Sequence, residues 1–127
     1  NEPRSELRTR AARETVMFAV HRLARSSPQQ AAAHWVKLAP RFSEEERAYV
    51  WGVIAYLGAM RHDPQALEWF SRAADMSDLQ NAWRVRAALR AKRWPEVLAA
   101  INAMTPKEAE DPPWRYWKAR ALKATGR

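Results

Sequence analysis

Three tryptophans recur along this sequence at nearly equal intervals. Trp83 follows Trp51 by 32 residues, and Trp117 follows Trp83 by 34 residues. Each is followed four residues later by an alanine, and these alanines are Ala55, Ala87 and Ala121. A period near 34 with helix–turn–helix content is typical of tetratricopeptide-like α-solenoids. The spacing therefore predicts an all-α fold, in which antiparallel helix hairpins stack into a right-handed superhelix with degenerate repeats.

Residues 81–101 form the clearest of these predicted hairpins. Four apolar residues recur every fourth position, which puts them on one helical face; they are Leu79, Trp83, Ala87 and Ala91. Ala82, Val85 and Leu89 widen this face into a broad apolar surface. Pro95 has a fixed φ and no N–H, so it suits the first turn of the second helix. Two such helices cannot bury both apolar faces alone and need neighbours of the same kind. We therefore expect the three repeat tryptophans to lie in the core.

Capping signals divide the rest of the chain into further helices. Ser43 with Glu46 and Thr105 with Glu108 have the spacing of a capping box, and Pro28 follows a Ser that suits an N-cap. The predicted helices cover 6–24, 27–40, 43–60, a stretch from Asp63-Pro64 to Ala73, a short turn from Thr105, and a last helix from Asp111-Pro112-Pro113, with Gly126 after its end. The last unit lacks a second helix. Because solenoid ends normally carry a polar cap, we expect the natural chain to continue beyond Arg127; the alternative is that the last helix itself serves as the cap.

Composition narrows the possible functions. The net charge is +8, which favours association with polyanions such as nucleic acid, anionic lipid surfaces or an anionic cell-wall polymer. Cysteine is absent, so disulfides, thiolate metal sites and a cysteine nucleophile are excluded. No apolar run of about 18 residues occurs, so no membrane span is expected. The sequence also lacks a glycine-rich phosphate loop, and we expect no cofactor.

The acidic residues and histidines do not form a recognisable reactive site. Residues 44–46 and 108–111 hold acids at predicted helix starts, where capping accounts for them. His21, His34 and His62 stand apart, without a partner at ligand spacing. We therefore expect neither a catalytic carboxylate pair nor a metal site.

Several segments resemble one family of cell-wall enzymes. The segments are WRYWKARAL at 114–122, NAWRVRAAL at 81–89, the Asp111-Pro112-Pro113-Trp114 approach to the last helix, and the helices around Trp51 and Trp69. Together they are similar to the superhelical region of soluble lytic murein transglycosylases, from about residue 31 to the end. No single segment carries the likeness, which rests on several occurring in the same order.

This resemblance implies a periplasmic protein with a ring-like α-superhelix and a separate lysozyme-like catalytic domain. That domain would cleave the bond between N-acetylmuramic acid and N-acetylglucosamine and form a 1,6-anhydro product. Its acid belongs to a Glu-Ser motif, and no Glu-Ser pair occurs here. Residues 1–127 are therefore expected to form a single α-superhelical domain, inactive alone, with peptidoglycan and the catalytic domain of the same protein as partners.

Basic and aromatic residues provide the candidate contact surface. Arg86, Arg90 and Arg93 follow each other at helical spacing and are interpreted either as a solvated stripe or as a surface for the carboxylates of peptidoglycan stem peptides. Trp94 and Trp114 begin helices, so we expect both to be partly exposed. Trp114 is the first choice for a glycan contact and Tyr116 the second, and the same helix also carries Arg115, Lys118 and Arg120.

Two other functions remain open at this point. Stacked helical repeats often bind a protein partner on their concave face, which would make the chain an interaction module. The charge of +8 is also compatible with nucleic-acid binding, but no recognised binding motif supports it, so no nucleic-acid partner is expected.

Overall fold

The computed structural model describes residues 9–126, and this part of the chain is helical without any strand. The α-helices are α1 (Arg10–Ser26), α2 (Pro28–Leu38), α3 (Glu44–Met60), α4 (Ala66–Phe70), α5 (Asp78–Arg90), α6 (Trp94–Asn102), α7 (Pro106–Ala109) and α8 (Pro112–Ala124), with a 3-10 turn at Ala39–Arg41. The all-α prediction is confirmed. The predicted start of the first helix at Glu6 lies outside the described residues.

Helices that follow each other in the chain also pack against each other. The pairs α1–α2, α3–α4 and α5–α6 each make extensive contacts. Successive pairs are joined through α1 with α3, α3 with α5, and α2 with α3, while α8 packs on α6. The core accordingly has two parts. One is built around Trp35, Ile54 and Phe70 from α2–α4, and the other around Val85, Val97 and Ile101 from α5 and α6.

The predicted helix starts are largely confirmed. Ser43 and Glu46 form the complete capping box at α3, and Ser77 forms another with Gln80 at α5. Ser27 accepts a hydrogen bond from the Gln30 amide, and Gly126 follows the last helix with φ 79°. Two lengths differ from the prediction. α4 has only five residues and ends at Phe70, and α2 ends at Leu38, before the proline in the 3-10 turn.

Thr105 forms only half of its predicted capping box. Its hydroxyl accepts from the Glu108 amide at 3.4 Å, but its own amide donates to Asp78 Oδ1 at 2.8 Å. Its hydroxyl also donates to Asp78 Oδ2 at 2.7 Å. The carboxylate in the first turn of α5 thus takes the place of the Glu108 side chain, which is bonded elsewhere. These two hydrogen bonds join the start of α5 to the start of α7.

The ends of α3 and α5 share one backbone geometry. His62 and Lys92 both adopt left-handed conformations, with φ of 60° and 57°. At the first turn the Asp63 amide donates to the Gly58 carbonyl, and at the second the Arg93 amide donates to the Ala88 carbonyl, each at 2.9 Å. The His62 amide also donates to the Ala59 carbonyl, and the Lys92 amide to the Leu89 carbonyl, each across three residues; together these bonds define Schellman motifs. Equivalent residues of the two units are therefore 30 positions apart.

This offset corrects the predicted register of the repeat. Trp51 and Trp83 are 32 residues apart, and a two-residue difference turns a side chain by roughly 200° around a helix. Trp51 is buried with 5% of its surface exposed, and Asn81, 30 residues later, is 1% exposed. Trp83 is only partly buried, as is Trp117, so the core prediction holds for Trp51 alone. The buried residues of α5 are Asn81, Ala82, Val85 and Ala88, so Ala82 and Val85 of the predicted face are confirmed. Trp83 and Ala87 are only partly buried, and Leu79 is 56% exposed.

Candidate binding surface on α5, α6 and α8

Arg86 connects two tryptophans from different helices. Its guanidinium carbon lies 4.6 Å from the ring centroid of Trp83 on α5 and 5.8 Å from that of Trp114 on α8. Both distances are within the range of attractive cation–π contacts. The structure thus brings together two residues of the predicted surface, Arg86 and Trp114. It also gives the Arg86 side chain a packing role between helices.

Trp114 is not partly exposed, contrary to the prediction from its place at a helix start. Only 8% of its surface is exposed, and its indole N–H donates to Glu108 Oε2 at 2.7 Å. The short helix α7 supplies this acceptor, which the sequence suggested was part of a capping box. A buried ring offers little area for stacking on a sugar, so Trp114 is a structural residue at the junction of α7 and α8.

A second aromatic group is exposed on α8 and α6. Tyr116 is 53% exposed, and its hydroxyl accepts a hydrogen bond from Arg120 Nη1 at 2.8 Å. The Arg120 guanidinium carbon lies 5.8 Å from the Tyr116 ring centroid and 6.0 Å from that of Trp94. The Trp117 ring meets Tyr116 edge-on at 4.9 Å. We call these four residues the α6–α8 cluster.

The sequence identified this cluster incompletely. Tyr116 was a predicted glycan contact, and Trp94 is partly exposed as expected. From the sequence, Arg120 is only one of several cations on the last helix. The spacing of Tyr116 and Arg120 at i and i+4 could have indicated that their side chains meet.

The three arginines of the predicted stripe do not share a helix. α5 ends at Arg90, and Arg93 follows the left-handed Lys92 and takes the N-cap position of α6. Helical spacing does not apply across such a turn, so the prediction of one stripe is wrong. Arg86 lies between two tryptophans, whereas Arg90 lines a separate cavity next to His62.

Several exposed cations remain without an acidic partner. Within residues 9–126, salt bridges join Arg84 to Glu96 at 3.8 Å and Arg13 to Glu46 at 3.1 Å, besides two exposed pairs inside single helices. None of these pairs includes a cation of the predicted surface, which comprises Arg86, Arg90, Arg93, Arg115 and Lys118. The α8 side of the molecule therefore carries positive charge that is available to an external anion.

The histidines and acidic residues are the groups from which a metal site or a catalytic pair would have to be built. In the described part of the chain, no three His, Asp or Glu residues lie close enough to hold a metal ion. Burial, followed by the nearby Arg25 charge, lowers the pKa of His21. The pKa of Glu46 is lowered chiefly by the hydrogen bond from the Ser43 amide. His21 lies where α1 faces α3, and Glu46 belongs to the capping box of α3.

A shallow apolar groove is lined by residues of α1 and α3, two helices that take no part in the α6–α8 cluster. It has a volume of about 180 Å³ and is bordered by Phe18 and Tyr49, which are 62% and 63% exposed. Its floor contains Val50 and Ile54, and His21 lines one side. Exposed aromatic residues at a groove are typical of contact surfaces.

None of the helices in residues 9–126 has the length and apolar character required to cross a bilayer. No protein-family model matches the sequence, and no curated protein matches it.

Proposed function

We propose that the chain is a non-catalytic α-superhelical domain of a periplasmic peptidoglycan lytic transglycosylase. It would scaffold the catalytic domain and contact peptidoglycan during cell-wall turnover. The observation that carries this proposal is the α6–α8 cluster, in which an exposed tyrosine and a half-buried tryptophan flank one arginine. The sequence resemblance of the α5 and α8 segments supports the same assignment.

The packing pattern supports a superhelical arrangement. Helix pairs contact the pair before and the pair after them, and α3 and α5 end in the same Schellman turn. Repetition of one unit with contacts between neighbours is the principle of a solenoid. We therefore propose that the hairpins form a degenerate, tetratricopeptide-like right-handed superhelix.

The chemistry of the α6–α8 cluster suits a glycan that carries peptides. The apolar faces of Tyr116 and Trp94 would stack on sugar rings, because aromatic side chains offer large rigid contact areas. Arg120 and the unpaired cations Arg115 and Lys118 would form charge-assisted hydrogen bonds with carboxylates of the stem peptides. Such contacts hold a polymer without requiring an acid or base for catalysis.

Co-sedimentation with purified sacculi tests this surface. We expect the chain to be retained at low and near-physiological salt, and retention to be lost in the double variant R115A/R120A. The matched control K37A/R41A removes the same charge from exposed positions of α2 and the following turn. If the two double variants lose retention equally, or the unchanged chain is not retained, the α8 surface is not a wall-binding site.

The absence of activity can be tested separately. We expect the purified chain to release no anhydro-muropeptides from sacculi, because the Glu-Ser motif of the catalytic domain is missing. Detectable release from a contaminant-free preparation would contradict the non-catalytic assignment.

The apolar groove between α1 and α3 favours a second candidate, a module that binds a protein partner. Phe18 and Tyr49 border this groove and are both mostly exposed. This function predicts saturable binding of a protein or peptide that is weakened by Phe18→Ser and unaffected by sacculi. Binding that instead depends on Arg115 and Arg120 would favour the wall-binding function.

A further inference from the structure

A larger cavity lies where α3 ends, between α4 and the C-terminal end of α5. Its volume is about 510 Å³, within the usual range of small-molecule sites. Three of its lining residues are ionisable or strongly polar: His62, Asp63 and Arg90. The cavity involves different helices from the α6–α8 cluster, so binding of a ligand in it is independent of the proposed function.

Local backbone bonds fix the carboxylate side of this cavity. The Schellman turn after α3 holds the Asp63 amide against the Gly58 carbonyl at 2.9 Å. Asp63 Oδ1 in turn accepts the Gln65 amide at 2.8 Å. These bonds hold Asp63 in a defined position in the cavity lining. Its second carboxylate oxygen, Oδ2, accepts no hydrogen bond within this turn.

Arg90 and Asp63 line the same cavity but do not form a salt bridge with each other. Their charged atoms are thus more than 4.0 Å apart. Other arginines of the chain are engaged: Arg84 lies 3.8 Å from Glu96, and Arg61 donates to the Arg25 carbonyl at 2.7 Å. Arg90 and Asp63 thus leave one positive and one negative group unpaired in the same cavity. A ligand that carries both a negative and a positive charge would complement them.

The rest of the lining is apolar and mostly small. Leu67 and Pro64 lie on the α4 side, and Ala87 and Ala91 lie on the α5 side. Because alanines project only a methyl group, they leave room for an apolar side chain of a ligand. A purely anionic ligand fits less well, since the Asp63 carboxylate would repel it.

We propose that this cavity binds a zwitterionic α-amino acid with an apolar side chain. The ligand carboxylate pairs with the Arg90 guanidinium, and the ligand ammonium pairs with the Asp63 carboxylate. The side chain lies against Leu67 and the two alanines of α5. His62 also lines the cavity and would offer one further hydrogen bond.

Calorimetric titration with leucine tests the proposal, using N-acetylleucine and leucinamide as probes that each lack one charge. We expect leucine to bind saturably and each analogue to bind about tenfold more weakly or worse, because one charge-assisted hydrogen bond is lost. Arg90→Gln should weaken leucine to the level of leucinamide. Asp63→Asn should weaken it to the level of N-acetylleucine, and its amide oxygen can still accept from Gln65.

Two further variants separate the cavity from general charge effects. Arg93→Gln removes an exposed cation three residues beyond Arg90 that does not line the cavity, and it should leave leucine binding unchanged. Ala91→Phe fills the cavity without changing charge and should abolish binding, with circular dichroism confirming that both variants fold. The proposal is overturned if leucine does not bind, if all three probes bind equally, or if Arg93→Gln weakens leucine as much as Arg90→Gln.

Discussion

The indole ring of Trp69 lies directly on the backbone of Gly58. A Cβ atom at Gly58 would be 2.6 Å from ring carbon Cζ3 and 3.0 Å from Cε3. Trp69 is 4% exposed, so the ring cannot move into solvent without opening the core. This contact sets how closely α4 approaches α3.

Gly58→Ala should therefore destabilise the protein. We expect the free energy of unfolding to fall by about 1–3 kcal/mol, the usual cost of overpacking a core. Gly52→Ala is the matched control in the same helix, since its new methyl would meet only side-chain atoms at 3.3 Å or more, the nearest being Gln80 Nε2, and no ring at 2.6 Å. Its effect should stay below about 1 kcal/mol, because the better helix propensity of alanine offsets a small adjustment. Equal losses in urea denaturation would show that the Trp69 contact is not the constraint.

Lys92→Gly should stabilise the protein. Lys92 is left-handed with φ 57° at the C-terminal end of α5, a conformation that costs a non-glycine residue about 1 kcal/mol. Arg93→Gly tests the same change one residue later, where φ is −99°. There we expect a loss of stability from backbone entropy. Thermal melts of both variants check the prediction, and a lower melting temperature for Lys92→Gly would contradict it.

Glu108→Ala should destabilise the α7–α8 junction. The variant leaves the Trp114 indole N–H buried without its acceptor at 2.7 Å, which costs about 1–3 kcal/mol. Glu108→Gln keeps an acceptor oxygen and should cost less. Glu110→Ala removes an exposed acid from the same segment and should change the free energy of unfolding by at most about 0.5 kcal/mol. Similar losses for Glu108→Ala and Glu110→Ala would rule out a role for this hydrogen bond.

The stability of the α3 start should depend on pH through Glu46. The hydrogen bond that the Ser43 amide donates lowers the pKa of the Glu46 carboxyl from the ordinary value of 4.5. Partial burial opposes this shift, and the hydrogen bond and charge of Arg13 add to it. A lowered folded-state pKa contributes stability above the unfolded-state value, and this contribution is lost as the pH falls through the lowered folded-state value. Glu46→Gln should flatten the acid side of the stability profile, measured by urea denaturation between neutral and acidic pH. Parallel stability profiles for the unchanged chain and Glu46→Gln across this pH range would contradict the prediction.

Helix existence and helix starts could be predicted from the sequence because capping is local. Ser43, Ser27 and Pro95 act through bonds and dihedral limits within one turn of their own position. The register of the repeat could not be predicted in this way. The interval between the tryptophans gives only a number of residues along the chain. Which side of a helix packs on the core depends on the distance of each residue from the helix ends. Because α3 is four residues longer than α5 (17 against 13), the two measures do not agree.

The candidate surface could be predicted only in part for a similar reason. The exposed cations on α8 and the exposed Tyr116 agree with the expectation from sequence. The burial of Trp114 depends on an acceptor in α7, and the separation of Arg90 from Arg93 depends on a left-handed residue between them. Neither the burial of Trp114 nor the separation of the two arginines could be predicted, because the periodic pattern of one helix contains no information about a contact or turn beyond that helix.

The arrangement of helix contacts has a consequence for how the chain is made. Every major contact joins elements that are adjacent or next but one in sequence, so the chain loops closed during folding are short. A nascent chain can therefore pack α1 and α2 against α3 before α8 has left the ribosome. Assembly in the order of synthesis reduces the time for which apolar helix faces such as that of Trp51 meet other chains in the cell.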